Sequence, residues 1–145
     1  MSAHKFVAEH GIEGAKKIID SAPDRKATHF SFDDCETTYY QKTNNLIYWD
    51  DDYDSWCEVY FDMPPIYLLS EIKQVIESVE IVEAYKGIDE ARWYVKRWFK
   101  LHSACKHVKN AKTYIANQLS KLQKAIADYE LVESFKDKVI ADENN

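Results

Sequence analysis

THFSFDDCETTYYQKTNNLIYWDDDYDSWCEVYF, residues 28–61, decides the fold class. Aromatic and β-branched residues recur in it with a period of two, at Phe30/Phe32, Thr38/Tyr40 and Cys57/Val59/Phe61. That is the alternation of a half-buried strand, not the 3.6-residue period of a helix. Turn formers divide the stretch at Asp33-Asp34, at Asn44-Asn45 and over Asp50 to Ser55, since Asn and Asp tolerate turn geometry and bond their own backbone. The reading is four short antiparallel strands.

On both sides the period returns to that of a helix. Residues 3–20 place Phe6, Val7, Ile12, Ala15, Ile18 and Ile19 at helical spacing behind Ser2 as N-cap, with Gly11 breaking or capping the helix midway and Pro23 closing it. After Pro64-Pro65, the positions Ile72, Val75, Ile76, Val79, Val82 and Ala84 predict a helix over 69–86 with Gly87 as its C′ residue. From Asp89 onward apolar or small residues recur at 91, 94, 98, 101, 105 and 108, then at 115, 119, 122, 126 and 129. This permits one helix of about 70 Å or two helices jointed between Ser103 and Asn110, and ordinary helix lengths favour the joint.

The fold class expected is therefore α+β: an N-terminal helix, a small antiparallel sheet of about four strands, and a C-terminal bundle of two or three long helices. A single domain over 1–145 is expected, with a helical segment at 1–23, an acidic β-meander at 28–62 and a helical region at 68–140. One internal echo joins the ends of this scheme. Phe6 to Lys16 resembles Ile81 to Arg92 apart from one inserted residue, and it reads as a shared grammar of helix, glycine and acidic helix start.

Charge is segregated along the chain. Residues 31–62 carry nine acids against Lys42 alone, whereas residues 91–124 carry nine bases and no acid, so a net charge of -6 conceals blocks of -8 and +9. Like charges at this density repel one another, and their concentration points to a partner or to pairing between the blocks. In 145 residues, 46% of them hydrophobic, the chain can bury a core without staples. Three widely spaced cysteines, Cys35, Cys57 and Cys105, read as free thiols in a reducing compartment. No apolar run is long enough to cross a bilayer and the N-terminus lacks a signal-peptide core, so cytoplasmic residence without membrane association is expected.

Catalytic and metal patterns fail on inspection. Asp50-x-Asp52-x-Asp54 begins like a calcium loop, but Ser55 stands where the turn glycine belongs and Phe61 where the bidentate Glu belongs. His102-x-x-Cys105-x-His107 has no second Cys/His pair at zinc spacing, and Cys105 reads as a core thiol on the apolar stripe. Phosphate-binding glycine loops and nucleophile elbows are absent. A non-enzymatic protein with no cofactor and no metal is expected.

Two candidate contact sets remain. Asp50, Asp51, Asp52, Asp54 and Glu58 form the acidic one. Arg92, Lys96, Arg97 and Lys100 form the basic one, with 92, 96 and 100 on one helix face, Trp93 and Arg97 flanking the row, and Tyr94, Trp98 and Leu101 assigned to the apolar stripe. A basic row beside aromatics suits a phosphate backbone and unpaired bases.

The chain also resembles the small accessory proteins of the early or variable regions of tailed phages and prophages. The residues that carry this are Phe6-Val7-x-x-x-Gly11-x-x-x-Ala15-Lys16-x-Ile18-x-x-Ser21-Ala22-Pro23, then Val79 to Ala91, and the closing Leu122-x-x-Ala125-Ile126-Ala127-Asp128-Tyr129-Glu130. The resemblance implies no catalytic residues and, since such proteins include inhibitors of host defence, a phage-type, anti-CRISPR-like or anti-restriction role against a host protein or ribonucleoprotein complex in the bacterial cytoplasm. Direct nucleic-acid binding by residues 92–100 is the alternative. A self-associating coiled-coil protein, a homodimer through the C-terminal helices, is the third reading.

Overall fold

The computed structural model describes residues 2–34, 36–105 and 107–143. The elements in chain order are α1 (Ala3–Asp20), β1 (His29–Asp33), β2 (Glu36–Lys42), β3 (Leu46–Asp50), β4 (Ser55–Glu58), β5 (Tyr67–Leu68), α2 (Leu69–Ala84), α3 (Ile88–Ala104) and α4 (Lys109–Glu143). The α+β class expected from the period switch holds, as do the four meander strands and the joint between α3 and α4, except that β4 ends at Glu58, short of the expected Val59 and Phe61. The sheet gains a fifth, two-residue strand, β5, that no alternation could announce. The chain groups into two units, Met1–Gln74 and Val75–Asn145, with the division inside α2.

In the first unit the sheet order is β4-β3-β2-β1-β5, every pair of neighbours antiparallel. The register Phe30↔Tyr39, with Phe30↔Tyr67 on the other side, puts three aromatic rings on one face. Phe6 of α1 fills that face, its ring centroid 5.2 Å from Phe30, 5.8 Å from Phe32 and 4.9 Å from Tyr67. The fully buried Phe6 contributes about 1.5–3 kcal/mol by leaving water. The Tyr39 hydroxyl donates to the Ile18 carbonyl at the end of α1, tying helix to sheet. Burial pushes the Tyr39 phenol up to about 12, with the negative charge of Asp51 acting in the same direction.

The second unit is built on the packing of α3 against α4. Val82, Ala91, Leu122 and Ala125 are its buried centre, and Ile81, Tyr85, Ile88, Val95, Trp98, Ile126 and Tyr129 close around them. Ser78 donates to Asp128 at 2.7 Å inside this unit, and Lys124 Nζ lies 3.6 Å from the same carboxylate oxygen, so the buried carboxylate has both a hydrogen bond and a countercharge.

Two glycines explain the internal echo. Gly11 (φ 72°, ψ 169°) interrupts α1 as expected, and Gly87 (φ 111°, ψ 177°) precedes α3. Both lie in a region that side chains with a Cβ rarely enter, and each is followed four residues later by a fully buried alanine, Ala15 and Ala91. The expected C′ role of Gly87 needs one correction. The residue in left-handed geometry after α2 is Lys86 (φ 65°), whose N–H donates to Glu83 at 2.8 Å while Gly87 N–H donates to Val82 at 3.1 Å. That is the paired bonding of a Schellman ending, with Gly87 at C″.

Two assignments to the apolar stripe also change. Cys105 is the half-buried C-cap of α3, with its backbone N–H on Leu101, because the helix ends at Ala104. Tyr94 and Leu101 are exposed, since the buried stripe of α3 runs through Ile88, Ala91, Val95 and Trp98 and leaves both on its shoulder. Cys57 and Cys105 are free thiols; the reading of Cys35 lies outside the described residues. Among the described residues, no helix is long and apolar enough to cross a membrane.

Candidate functional site

Fixing the buried stripe of α3 fixes what the helix turns outward. At 3.6 residues per turn the position opposite Ala91, Val95 and Trp98 is Trp93, and Lys96, Arg97 and Lys100 follow it at i+3, i+4 and i+7. Trp93 is 50% exposed, which for the largest apolar side chain at the centre of a basic helix face is a poor use of burial energy unless something covers it. One side of its indole is already supported: the Arg97 guanidinium lies 5.4 Å from the ring centroid, and Tyr94 meets it edge-on at 4.9 Å, itself 5.0 Å from Tyr85. Phe99, 49% exposed, flanks the same helix.

The basic set expected from sequence splits in two. Lys96, Arg97 and Lys100 are exposed on the outer face. Arg92 instead bonds Glu130 of α4 and stands 3.7 Å from Asp89, so it serves the α3–α4 packing. Trp93, which the sequence placed at the flank of the row, becomes its centre.

The acidic set splits as well. Asp50 Oδ2 accepts from the Tyr48 hydroxyl at 2.9 Å and its Oδ1 from Asp52 N–H at 3.0 Å, while Asp51 Oδ1 accepts from Trp49 Nε1–H at 2.9 Å. These two carboxylates shape the β3–β4 loop. Asp52 and Asp54 are exposed on that loop, Asp54 in left-handed geometry (φ 49°), and Glu58 is exposed at the end of β4. The Tyr60 hydroxyl, 3.3 Å from that of Tyr48, together with burial and the charge of Asp50, raises the Tyr48 phenol well above the ordinary tyrosine range.

His102 and Cys105 lie at the end of α3 with His107 just beyond, and among the described residues no three His, Cys, Asp or Glu side chains are grouped to hold a metal ion. Neither protein-family models, curated proteins nor solved structures yield a match to this chain. The functional reading therefore rests on the geometry of the two charged surfaces.

Proposed function

We propose that this chain is a non-enzymatic binding protein whose α3 outer face engages a nucleic acid, reading unpaired bases by stacking and the backbone by charge. The observation that carries the reading is Trp93, half exposed and opposite the buried stripe, with Lys96, Arg97 and Lys100 around it. Aromatic stacking contributes about 1–3 kcal/mol per base and tolerates any sequence, whereas the cations act by releasing counterions from phosphates. Single strands are the substrate class that uses both.

The test is fluorescence anisotropy with a labelled single-stranded oligonucleotide and the matching duplex. Wild type should prefer the single strand, and K96E/R97E/K100E should abolish binding without lowering thermal stability. Equal binding by the triple variant would refute the reading. A second reading, a phage-type inhibitor of a host nucleic-acid-processing complex, is supported by the exposed carboxylates Asp52, Asp54 and Glu58, which could imitate phosphates before a basic channel. It requires that the protein compete with duplex DNA for a purified nuclease complex and that D52N/D54N/E58Q lose the competition.

A further inference from the structure

The first unit holds a groove with Asp51 and Asp54 of the acidic set at its mouth. It lies between α1 and the sheet face of Thr37, Tyr39 and Trp49, with a volume of about 700 Å³, within the range of ligand sites. Gly14 keeps the helix side open. Glycine inside a helix costs stability relative to alanine, yet a Cβ at 14 would meet only His10 Cβ, at an ordinary 3.4 Å, so the residue is not demanded by crowding. A long side chain there would enter the groove.

The opposite wall is set in advance. Trp49 donates its indole N–H to Asp51 and is met edge-on by Trp56 at 5.4 Å, and Trp56 donates its own N–H to Asp24 at 3.1 Å. With its polar donor spent, Trp49 offers only its π surface. The Tyr39 hydroxyl is likewise spent on the Ile18 carbonyl. Acceptors remain at the mouth: Asp51 has one oxygen beyond its bond to Trp49, and Asp54 accepts no hydrogen bond from a described residue. The two aspartates outweigh Lys17 on the helix side, and from residue 43 to 72 the chain carries seven acids and no Lys or Arg. A π surface beside carboxylates in a negative field is complementary to a flat cation rich in N–H donors.

We propose that this groove receives an arginine side chain presented by a basic peptide segment of a partner protein, the guanidinium stacking on Trp49 and its N–H fork reaching Asp51 and Asp54. Arginine fits where lysine does not, because a compact ammonium neither stacks nor bonds in a planar fork. The site is independent of α3, so each reading can fail without the other.

The experiment titrates the full chain with a short Gly/Arg peptide and with matched peptides in which lysine or neutral citrulline replaces arginine, following the Trp49 indole N–H by two-dimensional NMR. The arginine peptide should shift that resonance, the lysine peptide should bind at least about threefold more weakly, and the citrulline peptide should not bind. D51N/D54N should weaken binding about tenfold while folding normally, since the carboxamide introduced at position 51 still accepts from Trp49 and asparagine tolerates left-handed geometry at position 54. Gly14→Leu should block binding and Gly14→Ala should retain it, with both thermal transitions intact. Equal binding of the citrulline peptide, full affinity in D51N/D54N, or peptide-induced shifts that bypass Trp49 would each overturn the proposal.

Discussion

Lys86→Gly should stabilise the second unit. Lys86 is exposed, and its left-handed backbone (φ 65°) is imposed by the Schellman ending of α2, through the bonds Lys86 N–H to Glu83 and Gly87 N–H to Val82. An L-residue pays about 1–2 kcal/mol for that conformation. Glycine removes this cost but adds unfolded-state freedom worth about 0.4–1 kcal/mol, leaving a net gain of about 0.5–1 kcal/mol. For a chain of 145 residues that corresponds to a rise in Tm of about 1–4 °C. The assay is urea denaturation followed by circular dichroism, where the midpoint should rise at constant slope. Gly87→Ala supplies the opposite sign, because φ 111° is strained for any Cβ even though the space is open. A neutral or destabilising Lys86→Gly, or a harmless Gly87→Ala, would refute the backbone reasoning.

Asp128→Ala leaves the buried Ser78 hydroxyl without its acceptor and should cost about 1–3 kcal/mol by urea midpoint, whereas Asp128→Asn keeps an acceptor and should cost less. His29 is held below the ordinary histidine range by burial, with Lys42 adding repulsion and Glu71 opposing. The unfolded chain therefore takes up a proton first as pH falls, so stability is full above about pH 6.5 and declines below it until the folded-state value is reached. His29→Gln should flatten that decline between urea midpoints measured at pH 7.5 and 5.5.

What the sequence could and could not announce follows from which interactions are local. The strand alternation in 28–61 and the weak helix formers between Ser103 and Asn110 are local signals, and both elements stand where they point. Strand β5 is two residues whose pairing is set by His29↔Leu68 and Phe30↔Tyr67, contacts with residues nearly forty positions away. The stripe on α3 was misplaced because the spacing of apolar residues fits two faces, Tyr94 with Leu101 or Ile88 with Val95, and only the packing of Ala91 against α4 selects one. The same ambiguity leaves Trp93 at the flank of the basic row, where the packed stripe puts it at the centre. Arg92 read as part of a binding row because its partner Glu130 is 38 residues distant. Of the groove beside Gly14 the sequence shows only Asp51 and Asp54, as members of the acidic set; the cavity itself is made where α1 crosses a sheet face.

The slope of log affinity against log salt for single-stranded DNA tests the α3 assignment most directly. Three outward cations predict a slope of about -2, so affinity falls about 20-fold between 50 and 200 mM salt; Arg92→Gln should leave that slope unchanged, and Trp93→Leu should lower affinity about tenfold at the same slope. A slope near zero, or full affinity in Trp93→Leu, would contradict the account.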